Sequence, residues 1–343
     1  MNEVAVLTIA LAFLFTFTNG FQDASSVAAT FIASRSATPR KGIVFVALCD
    51  FLGALFGGSA VAFTISGLLS LEPGARFLSV IFTGILTATG WNLVTWWRGL
   101  PSSSTHGLIG GLIGAGVACG GIGSVNWGFH ELLSPSMQIG GVLKVLLFLY
   151  LSVLLGLAAG YAMRSVSKIV LRNARRGINS TIVRLNWCAA ALMAFSNGAN
   201  DSQKQLGIIA LVLFSSGITA GVVVPPWARV TCAALLGAGT LSGGWRIMTT
   251  IGRKIFRLEP VHSLDSQVSS GAILTISTVA GAPVSSTHVI SSSVIGVGAA
   301  ENPRKVYWDV GREILLVMAL TIPATMFIGY GLSYLLLPIL GGS

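Results

Sequence analysis

Apolar residues run along this chain in long continuous blocks, and polar residues gather in the short intervals between them. The blocks lie at about 4–34, 42–61, 77–96, 102–121 and 139–163, then at about 185–212, 229–244, 264–281, 284–300 and 314–338. Most approach the roughly 20 residues that a helix needs to cross a bilayer. A β-barrel would instead alternate apolar and polar positions in runs of roughly ten. The pattern predicts an all-α polytopic membrane protein, because a backbone in lipid must satisfy its own hydrogen bonds.

Of the 343 residues, 53% are hydrophobic and 9% charged, with a mean hydropathy of +0.80. Soluble domains carry about 25% charged residues, so the bilayer is the expected solvent. The net charge of +10 suggests nucleic acid at first sight. The basic residues sit in short clusters between apolar blocks, however, as cytoplasmic loops of membrane proteins do; no nucleic-acid partner is expected. Cys49, Cys119, Cys188 and Cys232 stand singly, without CxxC spacing or nearby histidines, which argues against a disulfide frame or a metal site. Met1-Asn2-Glu3 lacks a basic leader region, so the first block reads as a retained helix. No P-loop, dinucleotide fingerprint or metal-ligand cluster occurs, and no cofactor is expected.

Two polar features recur in the same order. Asn19-Gly20-Phe21-Gln22-Asp23 is answered by Asn197-Gly198-Ala199-Asn200-Asp201, and Pro101-Ser102-Ser103-Ser104-Thr105-His106 by Pro283-Val284-Ser285-Ser286-Thr287-His288. The offsets, 178 (201 − 23) and 182 (283 − 101), are nearly equal and predict a duplicated half. The boundaries fall at 1–163 for the first repeat, 164–184 for a basic linker and 185–343 for the second repeat. Corresponding loops carry opposite charge bias. After the first knot stand Arg35, Arg40 and Lys41, whereas 213–228 has no charge; 62–76 carries one Glu and one Arg, whereas 245–259 carries Arg246, Arg253, Lys254 and Arg257. The positive-inside rule then predicts two inverted-topology repeats of about five passes each, a cytoplasmic linker and both termini outside. In such transporters, broken or re-entrant helices place the substrate site near the midplane.

Asp23 and Asp201 fall within predicted spans, where a carboxylate costs at least a few kcal/mol unless paired, hydrated or protonated. Gly20 and Gly198 precede them and are expected to loosen the helix; Gln22 and Asn200 add amide oxygens. These carboxylates are the candidates for a coupling proton or cation. Asp50 is a further acid in an apolar run. The Pro-Ser-Thr-His motifs read as capped helix starts, and free N–H groups at such starts bind anions. Two facing starts would cage a tetrahedral oxyanion with Ser103, Ser104, Thr105, Ser285, Ser286 and Thr287. His106 and His288 are candidate proton carriers or packing residues. Lys204 shares a helix face with Asp201, and Ser26 stands at its counterpart. Trp91, Trp96 and Trp97 suggest an interfacial belt.

The two Asp-bearing knots resemble the duplicated Gly-Ala-Asn-Asp signature of the inorganic phosphate transporter family. Gly90-Trp91-Asn92-Leu93-Val94-Thr95-Trp96-Trp97 through His106, and Pro283 through His288, are similar to it as well. The resemblance covers nearly the whole chain. It implies cation-coupled phosphate import across the inner (plasma) membrane, with no enzymatic activity, and admits a homodimer. It also implies that the knots and loops form the substrate site, adding Gln22, Asn200, Gln203 and Lys204 to the hydroxyls, with Asp23 and Asp201 for the coupling ion. Sodium-coupled members read Asn-Asp-Val-Ala-Asn in both halves; here Ser26 and Lys204 replace the last Asn. The second half looks like the bacterial low-affinity, proton-coupled branch, which takes phosphate as a neutral metal–phosphate complex. A sodium-coupled phosphate symporter and a sulfate permease of the same fold are the alternatives. Phosphate retains a proton at neutral pH that it can donate to a carboxylate, which favours it over sulfate.

Overall fold

The computed structural model describes residues 3–100, 102–132, 139–175, 177–243, 248 and 255–340. Met1, Asn2, Pro101, Arg176, Arg246, Arg253 and Lys254 lie outside the described residues. The described chain is helical throughout, apart from an isolated bridge between Leu69 and Val125. The elements are α1 (Glu3–Ala33), α2 (Pro39–Phe56), α3 (Ala60–Ser66), α4 (Ala75–Arg98), α5 (Ser104–Gly120), α6 (Phe129–Leu132) and α7 (Gly141–Val170). There follow α8 (Ile178–Ser215), α9 (Pro226–Ser242), α10 (Pro260–Val279), α11 (Ser286–Glu301) and α12 (Trp308–Leu340). Each predicted block meets a helix within a few residues, although the second continues through a 71° bend into α3. The linker expected at 164–184 is mostly helical, since α7 runs to Val170 and α8 starts at Ile178.

The arrangement is polar inside and apolar outside. Leu154, Ile169, Phe327 and Leu335 on α7 and α12 point outward, while Lys204, Asp201 and Asp50 have no exposed surface. That inversion is stable only where the surroundings are lipid. Four helices (α1, α4, α7 and α12) are long and apolar enough to cross a membrane alone, or five spans if the bent α2–α3 pair counts as one. The rest fail for separate reasons. α8 and α10 carry buried polar side chains along their length. α5 and α11 have 17 and 16 residues, about 25 Å at 1.5 Å per residue, which is short of the ~30 Å hydrocarbon core.

Helix packing falls into matching pairs around the two recurring motifs. α1 lies on α9 and α8 on α2; α5 lies on α12 and α11 on α7. The expected loosening at Gly20 and Gly198 does not occur, because α1 and α8 run unbroken through both. These glycines serve close approach instead. A Cβ on Gly198 would collide with the Asp50 backbone, and one on Gly20 with the Leu236 carbonyl. Gly198→Leu is therefore expected to abolish folded, detergent-extractable protein, since overpacking against backbone has no rotamer escape. Gly177→Leu, which meets open space, is the control; equal yields of both in size-exclusion profiles would contradict the account.

Candidate functional site

The site begins where α4 and α10 end. Gly99 closes α4 in the left-handed region at φ 68°, and its N–H and that of Leu100 return to the Trp96 and Thr95 carbonyls. Gly281 does the same after α10 at φ 65°, with Gly281 and Ala282 bonding back to Thr278 and Ser277. Both ends are Schellman caps, and only glycine adopts this φ without strain. Their spacing, 182 (281 − 99), was legible in the sequence as a glycine two residues before each motif proline. The caps turn the chain back into the protein interior, so that α5 and α11 start there.

Ser103 caps α5 by accepting from His106 N at 3.2 Å, and Ser285 caps α11 by accepting from His288 N at 3.4 Å. The two helices start face to face. Thr105 Oγ1 donates to the Val284 carbonyl at 3.0 Å, and the His106 and His288 rings meet edge to face at 5.1 Å. First-turn N–H groups have no carbonyl within their own helix, so two sets of donors and two positive dipole ends converge on one buried place.

The carboxylates complete it. Asp23 accepts from Ser104 Oγ at 2.5 Å and from Thr287 Oγ1 at 2.7 Å, one hydroxyl from each half. Ser26 Oγ lies 3.1 Å from Thr287 Oγ1. Asp201 accepts from Ser286 Oγ at 3.4 Å and pairs with Lys204 Nζ at 2.5 Å, and Nζ also donates to the Val284 carbonyl at 3.2 Å. All of these side chains are buried. The correspondence between halves fails at one point: Lys204 occupies Asp201, while Ser26 leaves Asp23 to hydroxyls. Among the described residues no lysine or arginine pairs with Asp23.

Gln22 and Asn200 hold the loops. Gln22 Nε2 donates to the Ser102 carbonyl at 3.0 Å; Asn200 Nδ2 donates to the Ala282 carbonyl at 3.2 Å and to Thr278 Oγ1 at 3.0 Å. Gln203 is not brought into the cluster. Its Oε1 accepts from Val61 N at 2.7 Å and its Nε2 donates to the Gly57 carbonyl at 2.7 Å, so it fixes the bend between α2 and α3. Of the tryptophans expected in an interfacial belt, Trp91 donates to Ser102 Oγ at 3.0 Å, Trp96 packs against Phe21 at a tilt of 57°, and Trp97 is exposed. Asp50 accepts from Asn197 Nδ2 at 3.0 Å and Thr240 Oγ1 at 3.1 Å, which ties α2 to α8 and α9. Among the described residues no group of three or more metal-ligating side chains occurs.

Fold and site together define a multi-pass helical membrane protein with a buried polar cage at its centre. The chain belongs to the phosphate transporter family, whose model matches residues 19–329. A "Probable low-affinity inorganic phosphate transporter" of Rhizobium meliloti (strain 1021) is 38% identical over 327 residues, covering 93% of this chain and 92% of that one. Its namesake in Bacillus subtilis (strain 168) is 34% identical over 337 residues, with 96% and 97% covered. A solved structure titled "The sodium-dependent phosphate transporter" superposes with a TM-score of 0.87 over 99% of this chain and 100% of that one, at 21% identity, and so shares the fold. The family and its relatives are transporters, not enzymes.

Proposed function

We propose that this protein is a proton-coupled phosphate symporter of the plasma membrane, built from two inverted repeats, 1–163 and 185–343. The paired packing of α1 with α9 and α8 with α2, and the head-to-head start of α5 and α11, support the inverted arrangement. By the positive-inside rule, the basic residues around Arg164, Lys168, Arg172 and Arg175 support a cytoplasmic position for that end and an outside position for both termini. The first-turn amides of α5 and α11, together with Ser103, Ser104, Thr105, Ser285, Ser286 and Thr287, hold the anion, with Lys204 as a fixed counter-charge. Asp23 and Asp201 carry the coupling charge.

One observation carries the choice of proton over sodium. Lys204 Nζ, 2.5 Å from Asp201 and 3.2 Å from the Val284 carbonyl, sits where a mobile cation would lie. An ammonium already there excludes a metal ion by charge and volume. Asp23, cradled by Ser104 and Thr287, is left to take a proton, which the substrate's own acidic hydroxyl can supply. Asp23, which no cation pairs among the described residues, would also suit a divalent cation travelling with phosphate and largely coordinated by it, for which stimulation by Mg²⁺ is the signature.

The test is radiolabelled phosphate uptake into proteoliposomes under an inward proton or an inward sodium gradient, with sulfate as competitor. Proton-driven uptake that excess sulfate leaves unchanged is expected. Sodium-driven uptake at equal pH would overturn the reading of Lys204, and strong competition by sulfate would overturn phosphate as the preferred anion.

A further inference from the structure

We propose that a second cavity, remote from the central cage, is a binding site for a phosphoryl anion that acts as a regulator rather than as cargo. The cavity, of about 680 Å³, opens at the basic end of the bundle, between the approach to α10, the end of α11 and the last turns of α7. Its size falls in the range of small-molecule sites. Arg164, Arg257, Arg304 and Lys305 line it, against two carboxylates, Glu259 and Glu301.

Both carboxylates are already engaged. Glu301 Oε2 takes Arg164 Nε at 2.8 Å and Lys168 Nζ at 3.3 Å. The Glu259 side chain accepts the first-turn N–H of α10 in a capping box with His262. Arg164 also reaches Asp265 at 3.3 Å. Arg257, Arg304 and Lys305 are thus left exposed on the rim, with no ion pair among the described residues. Three cations converge on one cavity with their negative partners spent, an arrangement that neutralises when a multiply charged oxyanion enters. Below them the floor is rigid, because Arg164 and His262 are nearly inaccessible. Phe256, which is buried, and Tyr307 line the cavity beside them.

An anion here would join the segment before α10 to the one after α11, directly over the cluster that ties both helices to α7. It would therefore brace α10 and α11 against α7 and slow any movement of this end. With this end cytoplasmic, as proposed above, the effect is inhibition by accumulated phosphate or by an acidic lipid. The shared chemistry is the phosphoryl group, and its two sources are separable by experiment.

The full chain, purified in detergent, is dialysed to equilibrium against [³²P]phosphate at low ionic strength, and its native mass spectrum is read after extraction from membranes rich in phosphatidylglycerol. The comparison is with the triple variant Arg257→Gln, Arg304→Gln, Lys305→Gln, whose side chains are exposed and carry no packing. If free phosphate is the ligand, the triple variant binds one phosphate per chain fewer than wild type, or binds it roughly tenfold more weakly. If the headgroup is the ligand, wild type retains phosphatidylglycerol and the variant loses it. Indistinguishable phosphate binding together with unchanged lipid retention overturns the proposal. Failure of the central cage to bind phosphate would remove a different equivalent, one the triple variant shares with wild type, so the two readings fail separately.

Discussion

Asp201→Asn is expected to abolish phosphate accumulation and also to lower the melting temperature of the purified protein, whereas Asp23→Asn abolishes accumulation with little loss of stability. The difference follows from the one asymmetry in the cage. Removing the Asp201 charge leaves the fully buried Lys204 ammonium with no counter-charge, only the neutral oxygens of the substituted amide and of the Val284 carbonyl. Breaking a buried pair on one side costs about 3–5 kcal/mol, while replacing both partners with apolar groups is often neutral. Asp23→Asn leaves no cation unpaired, and the Asn side-chain oxygen still accepts one of the Ser104 and Thr287 hydroxyls. The double variant Asp201→Asn, Lys204→Met should regain the wild-type melting temperature without regaining uptake. Thermal unfolding monitored by size exclusion, alongside proteoliposome uptake, decides it. Wild-type accumulation by either single variant would remove that carboxylate from the mechanism, and equal melting of the two would show that Lys204 is not held by Asp201.

The second large effect is expected at the basic end. Arg164→Ala should destabilise the protein by about 3–5 kcal/mol, because Asp265 is then buried with no cation and keeps only Ser167, at 2.5 Å. Arg164 also links helices distant in sequence. It stands on α7 and binds Asp265 on α10 and Glu301 on α11. A double-mutant cycle with Asp265→Leu should return a coupling energy of about 0.5–3 kcal/mol. Additive single effects would mean that the pair is incidental to the joining of these helices.

Much of this protein is legible from local pattern. Helix boundaries follow from apolar block lengths because the bilayer sets the length a span must have. The two polar motifs recur at nearly equal offsets, and Gly99 and Gly281 recur with them. Asp23 and Asp201 stand out because a carboxylate in an apolar block needs a reason. The pairing of Lys204 with Asp201 was legible too, since three residues on a helix is a fixed distance.

Other features arise only when distant segments meet. Gly20 and Gly198 invite a reading as breaks, and the chain alone cannot show that Leu236 and the Asp50 backbone lie against them. Gln203 belongs to the same motif as Asn200 and lies three residues from it, yet its amide is taken by the Val61 N–H and the Gly57 carbonyl at the α2–α3 bend and so leaves the cage. Asp23 shares its hydroxyl partners between Ser104, 81 residues away, and Thr287, 264 residues away. The joining of Arg164 to Asp265 and Glu301 spans 101 and 137 residues. The sequence by itself therefore determined the helices, the recurrence of the two motifs and the residues unfit for lipid, since each rests on hydropathy or on spacing along the chain. Only the tertiary structure decided which of those residues face one another, because pairing across the bundle is set by packing between segments that carry no local record of their partners.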